Sequence, residues 1–437
     1  MKLLVKNGWL VDPGSNRCGR FDLVIEDGQV KQVIPVHADG IPEEAEGAAA
    51  GDVEIVDAAG KYILPGLIDL HVHFRDPGLT YKETIATGSR AAAHGGYTTV
   101  CTMPNTKPVM DSKETIEQQL AIIEKDAVIH VLPIGAVTKG QMGEELADIR
   151  GMKEAGACAL SEDGKSVMNA ALLAAALPIA KEVGLPFFDH CEDMNLVRGG
   201  VLHAGKKAEE LGMKGITNSV EDVIATRDII LAKEAGAKLH LCHCSTADSV
   251  TYVRLAKEAG LQVSAEVCPH HFALCDEDIP GDDANYKMNP PLRSREDMMA
   301  LREGIRDGIM EVISTDHAPH SAEEKAKSIK DAPFGIVGSE TAFAIAYTTL
   351  VEGGYLDLPG LVKCMSLNPA KVLGIPKGTL QEGYAADFTI VDTNESYRID
   401  PDTFFSKGKN TPFAGKEVRG KICSTYVDGN CAYREDM

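Results

Sequence analysis

His71, His73 and Arg75 occupy alternate positions in "GLIDLHVHFRDPG", residues 66 to 78. On an extended strand, alternate side chains share one face. Two imidazoles and a guanidinium aimed at one place suit a metal ion bound beside an anion. One His-x-His pair taken alone is as compatible with packing as with a metal, so the case rests on what joins it. His190 in "LPFFDHCED", His243 in "KLHLCHCST", and Asp316, His317 and His320 in "EVISTDHAPH" each close a β-rich run. So do Glu162 and Asp163 in "ACALSEDG" and Asn105 in "YTTVCTMPNT", while Asn289 lies in "KMNPPLR" after a seventh run. At least six of the 13 histidines fall at such ends, where chance would scatter them. Four imidazoles with carboxylates suit Zn²⁺, with Mn²⁺ or Co²⁺ as substitutes. Such an ion lowers the pKa of a bound water to about 7, so that a hydroxide nucleophile exists at neutral pH.

The remaining histidines read as structural. His37, His94, His130 and His203 fall in loops, helices or the third barrel run, and His240 points away from the set or sits deeper. His270 and His271 are adjacent, so on a strand they face opposite ways. They read as structural or as supports for metal-binding side chains.

These ends need a scaffold that gathers them. From residue 61 onward, short apolar runs alternate with stretches of helical period. Strands are expected to begin near 63, 97, 128, 157, 186, 238, 262 and 309. Helices are expected near 82–95, 112–124, 144–156, 168–184, 219–235, 246–259, 295–307 and 339–352. Eight β/α units predict an α/β fold, a (β/α)8 barrel of the TIM type, whose active site lies at the C-terminal ends of its strands. Only the third strand contributes nothing obvious. A doubly wound open sheet is the rival, but no GxGxxG follows the first strand. The chain ends differ in character. "KLLVKNGWLV" and "FDLVIEDGQVKQVI" are β-rich, with Asp27-Gly28 marking a hairpin, and "GTLQEGYAADFTIVD" and "KICSTYVDGN" repeat this near the other end. A small composite β-domain of 1–60 and 373–437, around a barrel of 61–372, follows. The acidic, Ala/Gly-rich stretch 38–52 reads as a surface loop.

Composition excludes several roles. The net charge of −21 argues against nucleic acid and anionic membranes as partners, which need a basic footprint. An anionic substrate must then be held by local positive charge. The opening "MKLLVKNGWLVDPG" does not read as a secretory signal, and no membrane span is expected, since no apolar run reaches about 18 residues. The 11 cysteines read as reduced thiols of a cytoplasmic protein.

The motifs "DLHVHFRDPG", "TMPNTKP", "SEDG", "FFDHCED", "LCHCST", "KMNPPLR", "STDHAPH" and "APFGIVGSET" resemble those of class I, bacterial-type dihydroorotase, a family of the amidohydrolase superfamily. "LQEGYAADFTIVD" resembles that superfamily's C-terminal β-domain segment, so the resemblance runs nearly end to end.

The resemblance implies a zinc-dependent, reversible cyclisation of N-carbamoyl-L-aspartate to (S)-dihydroorotate in pyrimidine (UMP) biosynthesis. It implies one or two zinc ions per chain. His71 and His73 would bind the first metal, Asp163 would bridge, and His190 and His243 would bind the second. Asp316 would ligate the first metal and act as the acid/base. Arg75, Asn105, Asn289 and His320 would hold the substrate, as would His73, with backbone at Phe334 and Gly335 closing over the ring. A homodimer is implied, and association with aspartate transcarbamoylase is compatible with it. "SEDG" departs from the family's usual pattern at Glu162, and many relatives bridge their metals with a carboxylated lysine. Lys153, the nearest lysine upstream, lies ten residues before Asp163 in the preceding helix, which favours Asp163 as the bridge.

Two other functions compete. A hydantoinase or allantoinase would share the barrel and histidines, but its mostly uncharged substrates leave Arg75 unpaired. A non-catalytic scaffold for aspartate transcarbamoylase would be free to lose ligands, yet all are present.

Overall fold

The computed structural model of the chain describes residues 2–36 and 53–435. His37 and the stretch 38–52 expected as a loop lie outside the described residues. The chain opens with β1 (Lys2–Lys6), β2 (Trp9–Asp12), β3 (Arg17–Glu26), β4 (Gln29–Pro35), β5 (Val53–Asp57) and β6 (Tyr62–Pro65). β7 (Leu67–Val72), β8 (Tyr97–Thr102), β9 (His130–Ala136), β10 (Ala159–Ser161) and β11 (Phe187–Asp189) follow. After the short pair β12 (Leu202–His203) and β13 (Gly215–Ile216) come β14 (Leu239–Leu241), β15 (Val263–Val267) and β16 (Val312–Ile313). β17 (Phe388–Arg398), β18 (Glu417–Val427) and β19 (Asn430–Arg434) complete the set.

β7 to β11 and β14 to β16 form one eight-stranded sheet in chain order. All its pairings are parallel. β7 and β8 are buried at every position, as parallel strands covered on both faces must be. The sheet closes on itself. Val72 bridges His317, and His73 N–H donates to the His317 carbonyl at 2.8 Å. Asp69 ties the seam: one carboxylate oxygen accepts from Thr315 N–H at 3.0 Å and His71 N–H at 3.1 Å, the other from the Thr315 hydroxyl at 2.6 Å. Burial raises the Asp69 pKa to about 6 despite these donors. The expected (β/α)8 barrel is therefore present.

The barrel interior is filled by Ile68, Leu70, Met103, Ile134, Phe188 and Val312, among others. Truncating the fully buried Phe188 to Ala should cost about 3–5 kcal/mol. Outside, the helices start and stop where local chemistry dictates. Thr84 and Ser112 cap Ile85–His94 and Lys113–Asp126, each with a hydroxyl at the third helical position reaching back. Ser219–Ala235 ends at Gly236, whose φ of 63° suits glycine at a helix end.

β1 to β6 and β17 to β19 form a second, nine-stranded sheet built from both ends of the chain. Glu26 pairs with Gln29, and the turn residues Asp27 and Gly28 have φ of 51° and 77°, the left-handed pair that a two-residue hairpin requires. One expectation needs correction. The strand read from about 63 is two strands in two sheets: β6 pairs with β17, and β7 with β8. The switch is at Gly66, whose N–H donates to the Asp387 carbonyl at 2.8 Å. A side chain there would meet Thr98 Oγ1 at 2.2 Å, so only glycine lets the chain pass. The small sheet thus runs past residue 60, to Pro65.

Candidate active site

The reactive residues gather at the C-terminal end of the barrel. β7 ends at Val72, so His73 and Arg75 lie beyond it. Arg75 reaches the site through a left-handed turn, φ 60°, rather than by strand alternation alone. His243 and Asp316 also have positive φ, 32° and 49°. Such conformations cost free energy in non-glycine residues and cluster at functional sites.

His71 Nε2 lies 3.4 Å from Asp163 Oδ1 and His73 Nε2 3.3 Å from Asp163 Oδ2. Two further imidazoles approach the same carboxylate: His190 Nδ1 lies 3.1 Å and His243 Nε2 3.3 Å from Oδ1. Asp316 Oδ1 stands 3.1 Å from His73 Nε2 and 3.5 Å from His71 Nε2. Donor atoms of His71, His73 and Asp163 lie within 4.8 Å of one another, and so do those of Asp163, His190 and His243. Asp163 belongs to both groups, which is what a shared carboxylate requires.

The donor set fits a pair of divalent cations. His71 Nε2, the nitrogen that faces Asp163, is buried with no hydrogen-bond partner. Burial disfavours a charged imidazole, yet Asp163 and Glu192 raise His190 to about 10, and Asp163 raises His71 well above its usual value. Asp316 and Asp163 go the other way: burial is outweighed by the neighbouring imidazoles, which hold both well below the usual carboxylate range. The carboxylates thus favour positive charge at His71 and His190, as a cation-binding centre would, while burial lowers His73.

Three of the four imidazoles are oriented from behind. His71 Nδ1 meets Glu266 Oε1 at 2.8 Å, His73 Nδ1 meets Asn105 Oδ1 at 3.0 Å, and His190 Nε2 meets Glu192 Oε2 at 3.1 Å. A carboxylate behind an imidazole fixes its tautomer and raises its basicity as a ligand. Glu266 also accepts from His243 N–H at 3.2 Å and meets His240 Nε2 at 3.1 Å, so His240 serves the site from below. Glu192 accepts from Asn289 Nδ2 at 3.0 Å.

A cavity of about 190 Å³ lies over these donors. His73, Arg75, Asn105, Asp163, His190, His243, Asn289, Asp316, Phe334 and Gly335 all line it. Arg75 is 9% exposed, its Nε has no partner, and burial lowers its pKa although Asp316 and Asp163 raise it. Gly335 has φ 129°, and a Cβ there would meet the Ala318 carbonyl oxygen at 2.9 Å and His320 Nε2 at 3.0 Å. His320 stands one layer behind. Its Nε2 donates to the Phe334 carbonyl at 2.8 Å, and its Nδ1 meets Lys82 Nζ at 3.1 Å. Burial and the nearby Arg75 and Lys82 charges lower its pKa to about 3.

Glu162 turns away from the donors. It accepts from Val137 N–H at 3.0 Å and Thr138 N–H at 3.1 Å, and from the Thr138 hydroxyl. The third strand is not silent either: Gln141, in the loop beyond it, donates to the Asp163 carbonyl at 2.8 Å. His271 Nε2 bonds the Pro290 carbonyl at 2.9 Å, and His270 Nε2 is buried without a partner. Sequence reasoning missed Glu266 and Glu192. The signal for Glu266 was present, since an acid inside the apolar run "VSAEVC" is costly unless paired.

Residues 60–249 match the family model described as Dihydro-orotase-like. The chain is 49% identical over 435 residues to a dihydroorotase of Pelotomaculum thermopropionicum, covering 100% of this chain and 99% of that one. It is 46% identical over 437 residues to a dihydroorotase of Bacillus cytotoxicus, with the same coverage. Among solved structures it superposes on L-hydantoinase from Arthrobacter aurescens with a TM-score of 0.86 and 27% identity, covering 99% of this chain and 96% of that one. Dihydropyrimidinase from Brevibacillus agri gives 0.85 at 24% identity, with 100% and 96% covered, which speaks for the fold alone. On its full-length likeness to these dihydroorotases, the chain belongs to the dihydroorotase family.

Proposed function

We propose that the chain is a dihydroorotase, interconverting N-carbamoyl-L-aspartate and (S)-dihydroorotate on the route to UMP. The observation that carries this reading is Arg75: a buried guanidinium with a free Nε in the wall of a cavity floored by paired metal donors. Its fork suits the carboxylate that distinguishes dihydroorotate from neutral cyclic amides.

His71, His73, Asp163, His190, His243 and Asp316 would hold two zinc ions, with Asp163 shared. Bound there, the ions would polarise the ring carbonyl and bring the pKa of water near neutrality. The chain's own residues do the rest. Arg75 takes the substrate carboxylate. Asn105, whose oxygen faces His73, offers its amide N–H groups to the same carboxylate. Asn289, whose amide nitrogen is held by Glu192, offers its oxygen to the ring. The backbone of Phe334 and Gly335 covers the ring, and His320 takes part by fixing the Phe334 carbonyl.

Asp316 enters as a carboxylate and so as a base. It accepts a proton from water as the water oxygen bonds to the ring carbonyl carbon, then gives that proton to the ring nitrogen as the C–N bond breaks. In the biosynthetic direction the carbamoyl nitrogen closes on the side-chain carboxyl carbon and water leaves.

The reading assigns the site to the barrel, taken as 61–372 less the strand Tyr62–Pro65, with the small sheet from both chain ends as a separate composite domain. Among the described residues no helix is long and apolar enough to cross a membrane. A cytoplasmic homodimer, open to association with aspartate transcarbamoylase, completes the reading; sizing the protein with and without that enzyme tests it.

The decisive assay follows loss of dihydroorotate by zinc-supplemented protein, with hydantoin, dihydrouracil and allantoin in parallel and metal counted per chain. Turnover confined to dihydroorotate with zinc bound is expected. Turnover of hydantoin instead would move the chain to the hydantoinases.

A further inference from the structure

Phe334 and Gly335 line the cavity from a loop rather than from a barrel strand, so something must hold that loop. Two buried lysines do. Lys325 Nζ donates to the carbonyls of Gly335 at 2.9 Å, Pro333 at 3.2 Å and Lys287 at 3.3 Å. Lys287 Nζ donates to the Ala332 carbonyl at 2.6 Å and the Lys330 carbonyl at 3.4 Å, and sits 4.4 Å from the centre of the Phe334 ring. The Lys287 carbonyl in turn accepts from Gly335 N–H at 3.0 Å. The two lysines are 9% and 3% exposed. Burying an ammonium group without a bonded carboxylate is costly, and here the compensation is five backbone carbonyls, four of them within 330–335.

We propose that Lys325 and Lys287 are positioning residues for the reaction: a pair of ammonium clamps that fix residues 330–335 so that the backbone of Phe334 and Gly335 meets the substrate. This rests on the dihydroorotase reading of the cavity. Charge-assisted hydrogen bonds are among the stronger ones, and three converge on Lys325 alone. Facing Lys325 are Lys287, Asp283, Glu324 and His320, and facing Lys287 are Lys325 and Asp331. Burial brings Lys325 down to about 7, so its grip on the loop is present at lower pH and weakens as pH rises through that value.

The test uses Lys325→Met and Lys287→Met, which keep the stem and remove the charge. Steady-state kinetics on dihydroorotate are read beside metal content, melting temperature and tryptic cleavage after the exposed Lys327 and Lys330. KM is expected to rise about tenfold, more than kcat falls, with bound metal unchanged and faster cleavage. An unchanged KM, or cleavage at the wild-type rate, overturns the clamp. If a variant melts far below wild type, the wild-type protein decides. Its cleavage, normalised to a free peptide of the same sequence, should accelerate from about pH 6 to about pH 9, and a flat ratio overturns the proposal. Cleavage needs no substrate, so it judges the clamp even if wild-type protein leaves dihydroorotate untouched, which would sink the functional reading instead.

Discussion

Glu266 and His71 stand 195 residues apart in the chain, yet Glu266 Oε1 lies 2.8 Å from His71 Nδ1 in a region with no solvent access. The same carboxylate meets His240 and the backbone of His243, so one side chain steadies histidines from both metal groups. Glu266→Gln keeps the shape and removes the charge. Zinc affinity is expected to fall about 10–100-fold, the usual scale for an outer partner of a metal-binding imidazole. Zinc retained after dialysis against graded chelator reads this directly, and wild-type retention would remove Glu266 from the site.

Asp316 is a carboxylate in the cavity wall beside His73, its Oδ1 3.1 Å from His73 Nε2. Asp316→Asn is expected to lower kcat by at least about 10²-fold, the scale of a general acid–base group, with a smaller change in KM. Kinetics run in both directions check it, because a proton shuttle slows both alike. Full turnover in either would sink the assignment.

Arg75→Lys keeps a positive charge but loses the planar fork. KM for dihydroorotate should rise about tenfold, with more for Arg75→Met. The control is a neutral cyclic imide such as dihydrouracil: any residual activity on it should be indifferent to either change.

Removal of metal reverses the pH dependence of the site. In the folded, metal-free protein His190 sits at about 10, above its unfolded value. Its proton therefore contributes stability that is fully present below the unfolded pKa, about 6.5, and is lost as pH rises to about 10. Metal-free protein should melt at progressively lower temperature across that window. Zinc competes with the same protons, so the stabilisation it gives should grow with pH. Paired melting curves with zinc and with chelator check both signs. A zinc increment that shrinks with pH would contradict the fit.

Much of this was legible in the residues themselves. Strand ends announced themselves because a histidine or carboxylate after a buried apolar run is conspicuous. His71, His73, Asp163, His190, His243 and Asp316 all arrive where that pattern places them. Three things were less legible. Gly66 divides one apolar run between two sheets, and only the contact with Thr98 reveals why. Glu192 follows His190 closely in a run of polar residues and looks like solvent-facing charge until Asn289 and His190 are seen on either side. Lys287 and Lys325 read as ordinary surface lysines, since nothing local says that the carbonyls they serve lie up to 45 residues away.

The seam between β7 and β16 sets an order in time. His71 and His73 leave the ribosome early, but Thr315, Asp316 and His317 follow some 240 residues later, and the barrel cannot close on Asp69 before they do. Asp163, His190 and His243 emerge within 81 residues of one another, so the half of the centre they form is spelled out first. Asp316, beside His73, is the last of the clustered donors to be made, so the segment that closes the ring on Asp69 is the same one that completes the donor set.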